Sequence, residues 1–190
     1  MARRYNELLF TPTVRALQEA HGSRDAYAPL DAPEVPPRDR LGEAEMAFIA
    51  ARDSFYIASV SETGWPYLQH RGGPRGFLKV LDGKTLAFAD YRGNRQYLSA
   101  GNTLKDDRVS LFLMDYVHRR RLKLLGHARF VDANQDPVPL ARVRDDYGAK
   151  IEHVVVIAVE AFDWNCPQHI TPRFTEDEIA AILDAERPRS

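Results

Sequence analysis

Strand-like apolar segments that follow one another across short turns occupy most of residues 54–164, and this arrangement limits the fold more than any other feature. The segments at 54–70 and 76–90 each divide at a tight turn, SETGW in the first and DGK in the second, which is typical of β-hairpins. Further strands are predicted at 108–116, 120–132 and 153–164. Helices do not alternate with these strands as they do in a parallel βαβ sheet. The sequence therefore predicts a mainly β (α+β) fold, a six-stranded antiparallel β-barrel with strands of similar length and flanking helices.

Two glycines have defined places in this predicted barrel. Gly64 can supply the positive φ angle that the SETGW turn needs, because glycine adopts left-handed backbone angles readily. Gly126 lies inside the long strand predicted at 120–132, where a glycine indicates a β-bulge.

The segments on either side of the strands predict helices. Apolar residues recur at helical spacing in 1–23, with Pro12 as an interruption, and again in 43–53. Between them, 24–42 carries four prolines and predicts a linker along the surface. A last helix is predicted at 175–186, where Thr175 and Glu178 have the spacing of a capping box. The predicted organisation is an N-terminal helix and proline-rich linker that packs on the barrel (1–42), the barrel domain (43–174) and a C-terminal helix (175–190).

Composition argues against several classes of function. The formal net charge is -1, which gives no global reason to expect a nucleic-acid or membrane partner. The single cysteine, Cys166, excludes an intrachain disulfide and a multi-cysteine zinc site, as is common in a reducing cytosol. No apolar run approaches the roughly 20 residues that span a bilayer. A cytoplasmic protein is expected.

The segment QHRGGPRGFLK (69–79) combines basic side chains with glycines. Glycine lets a backbone approach a ligand closely, arginine offers a planar pair of donors to phosphate oxygens, and lysine adds a point charge. The segment is equally consistent with a basic loop between strands.

The segment DYRGNRQYLSAGN (90–102) places Asn94, Arg95 and Gln96 where a strand gives way to a short helix predicted to begin near Asn94. The N-terminus of a helix presents free N–H groups and favours a phosphate, to which these side chains would add donors. An ordinary capped helix with solvated arginines is the alternative.

Two further segments carry unusual residues. Arg121 and Lys123 share one face of the strand at 120–132, where they could line a polar pocket, form a solvated exterior or bind nucleic acid. FDWNCPQHITPRF (162–174) contains Trp164, which could anchor the core, and His169, which with His70 could ligate a metal or haem. No His-x-His or HExxH spacing supports a metal site, so none is assigned.

Taken together, the chain resembles the pyridoxamine 5'-phosphate oxidase superfamily of FMN-binding split barrels, and within it the flavin-nucleotide-binding, oxidase-related branch. The resemblance runs over about 45–174 and rests on FYIASVSETGWPYLQHRGGPRGFLKVLD, FADYRGNRQYLSAGN, RVSLFLMDY, RRRLKLLGHARFVD and WNCPQHITPRF in one order. It implies a split β-barrel that forms a homodimer, with FMN at the subunit interface and contacted by both chains.

The resemblance also implies which residues bind FMN. Arg95 is the firmest match to the phosphate-binding segment, Arg71 and Lys79 resemble the first FMN segment with longer spacing, and Arg121 replaces a glutamine. Asp90 departs from the family, and because a carboxylate repels phosphate it is expected to point elsewhere. The predicted cofactor-binding set is His70, Arg71, Gly72, Lys79, Ala89, Asp90, Asn94, Arg95, Gln96, Arg121, Trp164 and Arg173.

The function implied by the resemblance is that of an FMN-dependent oxidoreductase of unknown substrate, with no catalytic side chain assigned. The WNCPQHITPRF segment and the AERPRS ending differ from those of authentic pyridoxamine-phosphate oxidases, so the substrate side is expected to differ. Alternatives are a non-catalytic flavin or haem carrier or sensor of the same fold, and a structural dimer without a cofactor.

Overall fold

Seven strands form one antiparallel sheet in the computed structural model, which describes residues 3–134, 137–164 and 167–186. Cys166, singled out in the sequence, lies outside the described residues. The strands are β1 (Ser54–Val60), β2 (Pro66–Gly72), β3 (Lys79–Asp82), β4 (Thr85–Tyr91), β5 (Arg108–Asp115), β6 (Arg120–Asp132) and β7 (Ile151–Trp164). Their order across the sheet is β2-β1-β5-β6-β7-β4-β3. This confirms the mainly β, antiparallel fold class.

The predicted count of six strands of similar length is wrong. The structure has seven, and they range from four residues in β3 to 14 in β7. β3 is short because it only forms the outer half of a hairpin with β4, whereas β7 pairs with β6 on one side and with β4 on the other. Because the central strands β6 and β7 are long, one sheet can twist far enough to coil into a barrel.

Aromatic packing brings the two ends of the sheet together. Phe55 of β1 stacks on Phe77, which follows β2, with ring centroids 5.6 Å apart. Phe88 of β4 contacts the Phe55 ring edge-to-face at 5.2 Å. All three side chains are buried in the main core. Because β1 and β4 lie far apart in the sheet order, this cluster holds the sheet in its curled form.

The long strand β6 contains the bulge predicted at Gly126. The register between β6 and β7 shifts at Leu125/Gly126. A Cβ atom at Gly126 would lie 2.5 Å from the carbonyl oxygen of Ala158 and 2.9 Å from Ile157, closer than side-chain carbons come in folded proteins. Glycine is therefore required here for the close approach of the two strands. Gly64 has the predicted positive φ, at 87°.

Helices cover the outside of the sheet. They are α1 (Arg3–Leu9), α2 (Pro12–Ala20), α3 (Arg24–Tyr27), α4 (Glu43–Ala50), α5 (Leu98–Thr103), α6 (Pro137–Val143) and α7 (Glu176–Glu186), with a 3-10 turn at Ala28–Asp31. α1 is attached to β7 through an ion pair between Arg4 and Glu160. The residues predicted as a linker, 24–42, thus begin with short helical turns.

The end of the chain starts its last helix as the sequence predicts. The Thr175 hydroxyl accepts from the Glu178 N–H at 3.3 Å, and Glu178 accepts from the Thr175 N–H at 2.8 Å. Among the helices of the described ranges, none is long and apolar enough to cross a bilayer.

We expect Gly126→Ala to lower the free energy of unfolding by about 1–3 kcal/mol, because the new methyl group meets the Ala158 carbonyl and the strands must separate. Gly101→Ala is the control: this helical glycine has no neighbour within 4 Å, and alanine favours helix. Urea unfolding of both variants measures the difference, and equal stability would contradict the close approach at Gly126.

Candidate functional site

A polar cavity of about 240 Å³ lies where β2, β4 and the start of β7 meet the loop before α5. Its walls include five of the predicted cofactor-binding residues: Arg71, Asp90, Asn94, Arg95 and Gln96. We call this space the first cavity. The structure therefore brings together the two segments, 69–79 and 90–102, whose basic residues were predicted to bind a phosphate.

The loop before α5 does not have the predicted form. The helix begins at Leu98, not near Asn94, and has only six residues. Arg95 and Tyr97 adopt left-handed backbone angles, with φ of 60° and 55°. Such angles are unfavourable for non-glycine residues and recur where the surrounding structure holds a ligand-binding loop. The donors thus belong to a strained loop, and the predicted contribution of a helix N-terminus at Asn94 is wrong.

The buried side of the first cavity contains an ion pair that crosses between strands. Arg71 Nη1 donates to Asp90 Oδ1 at 2.6 Å, and the other oxygen of Asp90 lies 3.3 Å from Nδ1 of His153. Asp90 was expected to point elsewhere, but its carboxylate lines the cavity because Arg71 compensates its charge. Within the described part of the chain, the buried Nε of Arg71 has no hydrogen-bond partner. A buried donor without an acceptor is costly, so this N–H is suited to a ligand.

The outer side of the first cavity contains a second set of polar contacts. Arg95 Nε donates to the Tyr97 hydroxyl at 2.8 Å, and that hydroxyl donates to Glu152 at 2.8 Å. The hydrogen bond with Tyr97 and the nearby negative charge of Glu152 raise the pKa of Arg95 above its ordinary value. The Arg95 side chain is half exposed, so it can reorient toward a bound anion at little cost.

Several residues of this cavity were missed by the sequence analysis. Ser99 donates its hydroxyl hydrogen to Gln69 at 3.0 Å, which ties α5 to β2. Glu152 lines the cavity, and His153 contacts Asp90, because β7 begins at Ile151 and pairs with the end of β4. Tyr97 stood inside the segment already singled out, but nothing in the sequence pairs it with Glu152.

A second, larger cavity of about 590 Å³ contains the remaining predicted arginines. Arg121 and Arg173 line it together with apolar side chains of β1, β2 and β5: Tyr56, Leu68, Phe112 and Met114. The guanidinium of Arg173 lies 4.9 Å from the ring centre of Tyr116. In the ranges that the structure describes, the buried Nε of Arg121 also has no hydrogen-bond partner.

Strand β2 separates the two cavities. Gln69 and Arg71 face the first cavity, whereas Leu68 faces the second. This follows from the alternation of side chains along a strand. The predicted residues therefore form two groups on opposite faces of one edge strand, and no single cavity collects them all.

Other predicted residues line neither cavity. Ala89 is buried in a small apolar cluster with Val143 and Val154. Lys79 pairs with Ala87 on the β3–β4 hairpin, and Gly72 ends β2. His70 is exposed, with its ring 5.6 Å from that of Tyr56.

Trp164 also lies outside both cavities. Its Nε1 donates to Glu45 Oε1 at 2.7 Å, and its ring meets Phe48 edge-to-face at 4.8 Å. Trp164 thus attaches the end of β7 to α4. Across the described ranges, no three His, Cys, Asp or Glu side chains cluster as metal ligands.

A family model described as pyridoxamine 5'-phosphate oxidase matches residues 41–165. The chain belongs to the pyridoxamine 5'-phosphate oxidase family. The matched residues include all seven strands and both segments, 69–79 and 90–102, that contribute to the first cavity. No curated protein matches the chain in sequence.

Solved structures support the same fold. A candidate pyridoxamine 5'-phosphate oxidase from Lactobacillus delbrueckii has a TM-score of 0.51 at 18% identity, covering 66% of this chain and 94% of its own. HupZ of Group A Streptococcus has a TM-score of 0.51 at 14% identity, with 70% and 100% coverage. A conserved hypothetical protein from Mycobacterium tuberculosis has a TM-score of 0.50 at 19% identity, with 72% and 93% coverage. At these identities the similarity concerns the fold alone.

The contacts of Trp164 give a stability prediction. We expect Trp164→Phe to lower the free energy of unfolding by about 1 kcal/mol, because the partly buried hydrogen bond to Glu45 is lost. Trp65→Phe is the matched control, since the Trp65 side chain is 76% exposed. Urea unfolding compares the two, and an equal small effect of both would show that the indole N–H contributes nothing to stability.

Proposed function

We propose that the chain is a cytoplasmic, homodimeric FMN-dependent oxidoreductase that holds the phosphate of FMN in the first cavity. The observation that carries this proposal is the convergence of Arg71 and Arg95 on one small polar cavity, with the Arg71 Nε left as a buried donor among the described residues. Arginine is the side chain best suited to phosphate oxygens. Membership of the pyridoxamine 5'-phosphate oxidase family supports a flavin nucleotide as the source of that phosphate.

The donors around the first cavity fit a phosphate group. Arg71 can offer its free Nε while Nη1 stays with Asp90, and Arg95 can turn from the Tyr97 hydroxyl. The side-chain amides of Asn94 and Gln96 border the same space. The volume of about 240 Å³ suits the phosphate and its attached chain but falls below the roughly 300–1,000 Å³ of complete ligand sites. A flavin ring would therefore extend out of this cavity.

We propose that a second copy of the chain supplies the contacts to the part of the flavin that extends out of the first cavity. The second cavity has an exposed apolar rim: the side chains of Leu68 and Tyr56 are 64% and 38% exposed. Such a rim can be covered by a partner subunit. In a two-fold dimer, the second cavity of one chain can face the first cavity of the other, so that Arg121 and Arg173 reach a flavin bound by the partner. This arrangement would explain why β2 divides the predicted residues into two groups.

A bound flavin would supply two-electron redox chemistry, and the protein would determine binding, orientation and electrostatics. The described residues would do this through cations at both cavities and the apolar lining of the second. Turnover with a reductant such as NADH would support the oxidoreductase, whereas a tightly bound flavin that no reductant reduces would favour a carrier or sensor.

Arg95→Ala tests the phosphate site. We expect it to weaken FMN binding by about 2 kcal/mol, because one or two charge-assisted hydrogen bonds are lost, and to leave riboflavin binding unchanged. The matched control is Arg92→Ala, because Arg92 lies in the same loop but does not line the first cavity. Fluorescence quenching of the flavin gives both affinities. Unchanged FMN affinity in the Arg95 variant would remove Arg95 from the site.

Mixed dimers test the shared site. Each chain of a dimer carries either Arg95→Ala or Arg173→Ala, and differently tagged chains are co-expressed and purified. If the two arginines of one site come from different chains, one site has both changes and the other has neither. We expect about one tight FMN site per mixed dimer and none in either single-variant homodimer. Mixed dimers without a tight site would contradict the crossed arrangement.

A further inference from the structure

The charged side chains around the first cavity cancel one another. Arg71 and Arg95 provide two positive charges, and Asp90 and Glu152 provide two negative charges. Each arginine already lies close to one carboxylate: Arg71 to Asp90 at 2.6 Å, and Arg95 to Glu152 at 3.5 Å. A phosphate monoester near neutral pH carries about -1.5 to -2 charges. The cavity therefore has no surplus of positive charge to balance a dianion.

Asp90 is the carboxylate that a ligand cannot easily displace. Its side chain is 13% exposed, and it is held from two sides by Arg71 of β2 and by His153 of β7. Glu152 is more exposed, at 23%, and contacts the half-exposed Arg95. A ligand phosphate can draw Arg95 away from Glu152, but it must share Arg71 with Asp90.

We infer that Asp90 weakens the binding of a dianionic phosphate monoester in the first cavity more than it weakens the binding of a phosphodiester, which carries one negative charge. The inference rests on the proposed function, because it concerns the phosphate of the flavin bound there. Two like charges that share one partly buried arginine repel each other, and the repulsion grows with the charge of the ligand. Arg71 keeps further N–H groups besides the one that it donates to Asp90, among them the unpaired Nε.

Asp90 could act on ligand preference through its charge or through its positioning of the Arg71 guanidinium, and its contacts allow the two roles to be separated. The amide oxygen of an asparagine at position 90 could still accept from Arg71 Nη1, so the guanidinium would stay in place while the negative charge is removed. A purely positioning role predicts no change in the preference between ligands of different charge. A charge-setting role predicts that the ligand with the higher charge gains most.

The experiment compares riboflavin, FMN and the methyl ester of FMN, measured at about pH 8 so that FMN is a dianion and its ester a monoanion. We expect the wild-type protein to bind the ester at least as tightly as FMN. In Asp90→Asn we expect FMN affinity to rise about tenfold, ester affinity about threefold, and riboflavin affinity to stay within about twofold.

Asp115→Asn is the matched control. Asp115 is also a buried carboxylate held between an arginine and a histidine, Arg52 at 3.2 Å and His118 at 3.0 Å, but it does not line the first cavity. This variant is expected to keep the wild-type ratio of FMN to ester affinity.

The outcomes separate the two proposals. Flavin binding with an unchanged FMN-to-ester ratio in Asp90→Asn would overturn the inference alone and leave the flavin site standing. Binding of FMN by Asp90→Asn but not by the wild type would support the charge effect of Asp90 and overturn the proposal that the wild-type chain uses FMN. Absence of binding of every flavin by every variant would overturn both proposals.

Discussion

The curling of one antiparallel sheet until its two ends meet is the constraint on which the rest of this structure depends. Phe55, Phe77 and Phe88 bring β1 and β4 together in the core, although three strands lie between them in the sheet order. At the rim, Arg71 and Asp90 join β2 to β4 across the same gap. Without this closure, the two segments that carry the polar donors would lie at opposite ends of an open sheet and would form no cavity.

The edge strand β2 gives the structure two distinct surfaces. Its side chains alternate, so one face supplies Gln69 and Arg71 to a polar cavity while the other supplies Leu68 to an apolar one. An edge strand whose two faces line two different cavities is suited to a site that a second chain completes. This relation, rather than any single residue, motivates the proposed dimer.

Charge compensation distinguishes the polar cavity of this chain from a simple cationic phosphate site. Each arginine is already paired with a carboxylate: Arg71 with Asp90 at the end of β4, and Arg95 with Glu152 of β7. Membership of the pyridoxamine 5'-phosphate oxidase family fixes the fold, but the balance of charges belongs to this chain.

The sequence by itself determined the antiparallel strand succession, the bulge at Gly126, the capping box at Thr175 and the segments that carry the donors, because local periodicity and turn chemistry encode these features. It did not determine that Asp90 turns into the cavity, that Trp164 attaches β7 to α4, or that Glu152 and His153 join the site. Those positions depend on side chains far apart in the chain: Arg71 with Asp90, Trp164 with Glu45, and Tyr97 with Glu152. Only the closed sheet brings such partners within hydrogen-bonding distance, and so the tertiary structure alone decided which face each of these residues presents.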